Sequence, residues 1–193
     1  EKNRLLEQSL EHGNKSVELT KNLTPFLYWN LGVMQSLLAQ INFDLSNLAK
    51  EPETKKNRLQ EAIQHQEDSL KLRLKELKFL ERKGSMPSTL ISMMGSHQFS
   101  QGFYWNRLYA LTNDSDCLRK AVEAFQEATE SLRKANLISR MAECYWELGQ
   151  THVKLGEHLR AAECFDFASK NYKGAAEKLP QLKDFYNDHA SYM

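Results

Sequence analysis

The stretch that decides the fold is residues 142–172, AECYWELGQTHVKLGEHLRAAECFDFASKNY. Met141, Tyr145, Leu148, His152 and Leu155 recur at steps of four and three. That spacing stacks them on one face of a 3.6-residue helix. Gly156-Glu157 interrupts the pattern, and Ala161, Phe165, Ala168, Tyr172, Ala175 and Leu179 then resume it. Nothing alternates with period two, which argues against strands. Two helices joined by so short a turn lie antiparallel.

The same reading extends in both directions. Toward the N-terminus, Leu118, Ala121, Phe125, Ala128 and Leu132 mark one helix. Before it, Leu90, Met94, His97, Gln101, Tyr104, Leu108 and Leu111 mark another, and Asn113-Asp114-Ser115-Asp116 forms the turn between them. A long helix carries Leu59, Ile63, Leu70, Leu74, Leu77 and Leu80, widened by Leu72 and Phe79 and ended by Gly84 and Pro87. Its predecessor starts at Thr24-Pro25, carries Leu27, Leu31, Met34, Leu38, Ile41, Leu45 and Leu48, and breaks at Pro52. Leu6, Leu10, Val17 and Leu23 mark a weaker opening helix, with Gly13 as a soft spot. After Pro180, Leu182, Phe185, His189 and Tyr192 mark the last one. The expectation is an all-α chain of about eight helices, arranged as antiparallel hairpins in one continuous domain over residues 1–193.

Composition agrees. Only 8 glycines and 4 prolines occur in 193 residues, so few residues break helices. Apolar residues at 41% and charged residues at 26% suit a globular chain. The net charge of +1 argues against nucleic acid or a polybasic membrane surface. No apolar run is long enough to span a bilayer. Three cysteines, Cys117, Cys144 and Cys164, show no CxxC spacing, which points to a reducing, cytoplasmic location. The chain opens at Glu1 and stops at Met193 within a helical pattern, so the expectation is a fragment of a longer protein.

Two segments repeat. Residues 142–172 carry Tyr145, Leu148, Gly149, His152, Ala161, Phe165 and Ala168, and residues 102–132 carry Trp105, Leu108, Ala121, Phe125 and Ala128, with Tyr109 in place of the glycine. Tyr28-Trp29-Asn30-Leu31-Gly32 offers a third first-helix match. Aromatic–Leu–Gly on one helix and small–aromatic–small on the next resembles the tetratricopeptide-repeat (TPR) family. The repeats sit about 40 residues apart against the usual 34, which leans toward long-helix relatives such as fusion-factor attachment proteins and sensor domains of signalling ATPases. The resemblance implies a right-handed stack of helical hairpins with a concave groove that takes a protein or peptide partner.

The resemblance also supplies the candidate groove: Trp29 and Val33; Asn106, Arg107 and Ala110; Trp146, Gln150 and Lys154. Helical arithmetic puts Trp146, Gln150 and Val153 on a face apart from the Tyr145–Leu148–His152 core stripe. Two tryptophans at matching positions make good anchors for a peptide.

No catalytic set assembles, and no cofactor or metal motif is present. The histidines form no HExxH and no Cys/His zinc spacing. His152 falls where the repeat wants a packed ring. His97 and Gln101 are polar on an apolar stripe, which leaves a ligand pocket with Tyr104 as the rival to an internal hydrogen bond. Gly95 and Gly102 lie seven apart on one face and suit close packing better than phosphate binding. Lys71, Lys75, Lys78 and Arg82 form a stripe diluted by Glu67, Glu76 and Glu81. The expected function is a protein-interaction scaffold or sensor module. The alternatives are a ligand-binding or regulatory domain of a larger signalling ATPase, or a membrane-traffic adaptor.

Overall fold

The computed structural model describes residues 1–20, 28–85 and 87–191, and the backbone but not the side chain of Tyr28. The chain is all-α. Its helices are α1 (Lys2–Thr20), α2 (Tyr28–Leu48), α3 (Pro52–Arg82), α4 (Ser88–Thr112), α5 (Ser115–Lys134), α6 (Ile138–Lys154), α7 (His158–Lys178) and α8 (Lys183–Ser191). A 3₁₀ turn, Pro180–Leu182, precedes α8, and no strand occurs among the described residues. The expected Thr24–Pro25 helix start, Leu23, Leu27 and Tyr192 lie outside the described residues.

Helix ends follow local chemistry. After α3, Gly84 at φ 74° lets its own N–H reach Glu81 O at 2.9 Å and the Ser85 N–H reach Leu80 O at 3.0 Å. Gly156, at φ 75°, closes α6 in the same way, with Glu157 N–H on His152 O at 2.9 Å. Asn136 takes this left-handed position after α5 at φ 56°, a role asparagine fills next best to glycine. Asp114 caps α5 by accepting the Asp116 N–H at 2.9 Å.

The chain divides into two compact units, residues 1–90 with 107–113, and residues 91–106 with 114–193. The sequence reading expected one continuous domain. The division falls inside α4, where no Gly/Pro-rich linker marks it.

In the first unit α1 packs on α2 and α2 on α3. Leu10, Val17, Leu31, Leu38 and Leu45 form its apolar core. α2 and α3 run antiparallel: Asn42 meets Arg58, Gln35 meets His65, Gly32 meets Ser69 and Trp29 meets Arg73. This seam is unusually polar. Leu59 and Ile63 are buried as expected, but Leu74 is 43% exposed and Leu70, Leu77 and Leu80 are half-buried. Gln66, Ser69 and Arg73, at most 1% exposed, take the buried positions instead. The reason is partly Gly32: a Cβ there would stand 3.2 Å from Arg73 Nε, so any larger residue would press the guanidinium out of place by a few tenths of an ångström.

In the second unit α4 lies antiparallel to α5, with Gly95 against Leu132 and Gly102 against Phe125. α6 and α7 pair likewise, with Gly149 against Phe165, and α7 pairs with α8 through Tyr172 and Tyr186. Ala121, Phe125, Ala128, Leu132, Cys144 and Leu148 fill the centre. α4 and α6 are parallel neighbours. Ser96 and Phe99 share a small cleft with Arg140 and Glu143, and further along Asn106 bonds Thr151.

Candidate functional site

A cleft of about 160 Å³ opens on the first unit, lined by Ser46, Asn47, Lys55, Leu59, Arg107, Ala110 and Leu111. Ser46 and Asn47 lie in the last turn of α2, Lys55 and Leu59 in the first turns of α3, and the last turns of α4 supply the rest. Arg107 and Ala110 are two of the eight sequence-derived groove residues, and both are exposed. The lining holds two cations and no carboxylate, with Leu59, Ala110 and Leu111 as apolar wall. Such a cleft suits an acidic side chain on an apolar stem. Lys55 carried no signal in the sequence, because only the packing of the last turns of α4 beside the start of α3 brings it to the same cleft as Arg107.

At the other end of the same hairpin stand Trp29 and Val33. Val33 is half-buried and Trp29 is 41% exposed. The indole covers the guanidinium of Arg73, whose Cζ lies 4.4 Å from the ring centroid. Arg73 is wholly buried, and its Nη1 donates to Glu76 Oε2 at 3.2 Å. Its Nε and Nη2 meet no acceptor among the described residues, and neither does Gln66 Nε2. A buried unpaired donor costs about 1–3 kcal/mol. Arg73 escaped the sequence reading because a lone arginine between leucines on a charged helix reads as surface.

The remaining candidates lie in the second unit. Asn106 is 6% exposed and donates from Nδ2 to Thr151 Oγ1 at 2.9 Å, which makes it a tie between α4 and α6. Trp146 is half-buried against Phe165, with ring centroids 5.1 Å apart. Gln150 is half-buried and Lys154 exposed. His97 and Gln101 are half-buried beside the buried Tyr104.

The packing also corrects the repeat register on α4. Gly149 meets Phe165, and the residue that meets Phe125 in the same manner is Gly102, not the Tyr109 aligned from sequence. Phe99 lies 5.6 Å from Phe125 as Trp146 lies 5.1 Å from Phe165. The matching turn of α4 is therefore seven residues earlier than Trp105 and Tyr109 suggest. Two helical turns of offset keep the face nearly unchanged, so periodicity alone does not separate the two registers.

The other reactive groups are tied up in packing. Burial pushes the Cys144 thiol up to about 12 and Cys164 up to about 11, so neither is poised as a nucleophile. His152 is buried and donates from Nδ1 to Glu157 Oε2 at 2.6 Å, which holds the Glu157 carboxyl below its usual range. Lys71, Lys75, Lys78 and Arg82 are exposed, with Lys71 paired to Asp68 at 3.3 Å. No metal-binding cluster of three or more His, Cys, Asp or Glu occurs among the described residues, and no described helix is long and apolar enough to cross a membrane.

No family model matches the sequence, and no curated protein matches it. Among solved structures the chain is similar to BtubC (BKLC) from P. vanneervenii, at 14% identity and a TM-score of 0.37, over 97% of this chain and 90% of that one.

Proposed function

We propose that this chain is a protein-interaction module of the TPR class that takes an acidic segment of a partner protein. The observation that carries the reading is the cleft of the first unit. Lys55 and Arg107 line it there together with Leu59, Ala110 and Leu111, two basic groups beside an apolar wall. The hairpin packing supports the class. In the second unit α4 and α6 are parallel with α5 antiparallel to α4, and glycines admit Phe125 and Phe165 between helices. Charge-assisted bonds from Arg107 would orient the acidic group, and Leu111 would cover its stem. The scaffold or sensor role, and a cytoplasmic setting, belong to the same reading.

The test is fluorescence polarisation with two labelled peptides of equal length, one Glu/Leu-rich and one Lys/Leu-rich. The acidic peptide should bind and weaken as salt rises. Lys55→Glu with Arg107→Glu should lower its affinity at least tenfold with the helical signal unchanged. Equal binding of both peptides, or no effect of the double reversal, would sink the assignment.

A further inference from the structure

We infer that Arg73 is the anchor of a carboxylate-binding site whose outer wall is the Trp29 indole. This site is separate from the Lys55–Arg107 cleft, at the opposite end of the α2–α3 hairpin.

The argument starts from which nitrogens are used. Nη1 is bonded to Glu76 Oε2 at 3.2 Å. The two nitrogens without an acceptor among the described residues are Nε and Nη2. In a planar guanidinium these two form one edge, with N–H bonds parallel and spaced to meet both oxygens of a carboxylate. What is left over is thus a complete bidentate fork and not two scattered donors. A buried arginine kept only for packing has no need of an intact fork, and an ion pair with Glu76 alone could have used it.

The surroundings keep that fork in place. Gly32 lets the guanidinium lie against α2, since a Cβ would stand 3.2 Å from Nε and 3.4 Å from Cζ. Ser69, one turn before Arg73 on α3, donates to the Gly32 carbonyl at 2.7 Å and holds that turn of α2 against α3. The arginine is at 0% exposure, while the indole stacked on it is 41% exposed. Trp29 is therefore the wall between the guanidinium and solvent, and a ligand that reaches the fork from that side must displace it.

The charge count selects the ligand. Glu76 already offsets the guanidinium, so any anion adds uncompensated charge, and a dianion adds twice as much with only two donors to hold it. A singly charged carboxylate fits the two-donor fork at the smaller cost. A free small carboxylate and an Asp or Glu side chain share this chemistry.

The experiment is a titration of the whole chain followed by the Arg73 Nε–Hε signal in ¹H–¹⁵N NMR, assigned by its loss in Arg73→Lys. Sodium acetate, inorganic phosphate and sodium chloride are compared at one ionic strength. Acetate should move the signal downfield saturably, with chloride inert and phosphate weaker. In the same titration Trp29 emission should change in the parent and not in Arg73→Lys. Should Arg73→Lys fail to fold, Glu76→Gln keeps the fork and removes the competing charge, so it should lower the half-saturating acetate concentration several-fold. A signal that ignores acetate means the fork is served by water and overturns the proposal. Phosphate moving the signal at lower concentration than acetate overturns the carboxylate assignment. Acetate probes this fork through Arg73 Hε, so a null result here leaves the peptide test of the other cleft untouched.

Discussion

Gly149 and Phe165 face each other so closely that a Cβ on the glycine would stand 2.5 Å from the phenyl Cε1. Gly102 and Phe125 repeat the relationship, with a Cβ-to-ring approach of 2.7 Å. In both cases the contact is made by a ring inside a helix seam, which has little freedom to retreat.

Gly149→Ala and Gly102→Ala should therefore each destabilise the fold by about 1–3 kcal/mol through overpacking. Gly174→Ala is the control. Its Cβ would meet nothing nearer than Ile138 at 3.9 Å, so it should gain about 0.5–1 kcal/mol from helix propensity. Urea unfolding midpoints check all three. A neutral Gly102→Ala would return the α4 register to Tyr109.

Phe125 and Phe165 hold equivalent places but differ in burial, at 0% exposure for Phe125 and half-buried for Phe165. Phe125→Ala should cost about 3–5 kcal/mol, and Phe165→Ala distinctly less, since part of its ring is already in water. Denaturant unfolding of the two variants gives the order directly. An inverted order would contradict the packing.

His65 sets a pH dependence. Burial lowers its pKa from 6.5, partly opposed by the carboxylates of Asp68 and Glu61. Its neutral ring bonds Gln35 Oε1 through Nδ1 at 2.7 Å. The unfolded chain then binds the proton more readily than the folded one, so stability is full above 6.5 and falls as pH drops through that value. His65→Gln should flatten this part of the stability–pH curve, as measured by thermal melts between about pH 7 and pH 5. An unchanged slope would place the titration elsewhere.

The two tryptophans named as groove anchors should differ in accessibility. In variants that keep one tryptophan each, Trp29 should be quenched by acrylamide more readily than Trp146, which packs on Phe165. Equal protection would mean that Trp29 is covered in solution and would remove the entry route to Arg73.

The helices were legible because each records its own period. Leu118, Ala121, Phe125, Ala128 and Leu132 announce α5, and all five are buried. Gly84 and Gly156 announced helix ends because a left-handed residue is a local demand, whereas Asn136 met the same demand without standing out. Which residue meets which across a seam is a different kind of information. Gly102 instead of Tyr109 beneath Phe125, and Gln66, Ser69 and Arg73 instead of Leu70 and Leu74 in the α2–α3 seam, depend on how two helices slide and rotate against each other. A slide of seven residues leaves the helix face almost where it was, and a polar residue is buried only when the facing helix leaves space for it. Local periodicity along the sequence determined the helices and most of their ends. The shared cleft of Lys55 and Arg107 was decided only when the end of α4 came beside the start of α3, and the unpaired fork of Arg73 only when α2 packed on α3, because packing, not periodicity, sets the distance between residues far apart in the chain.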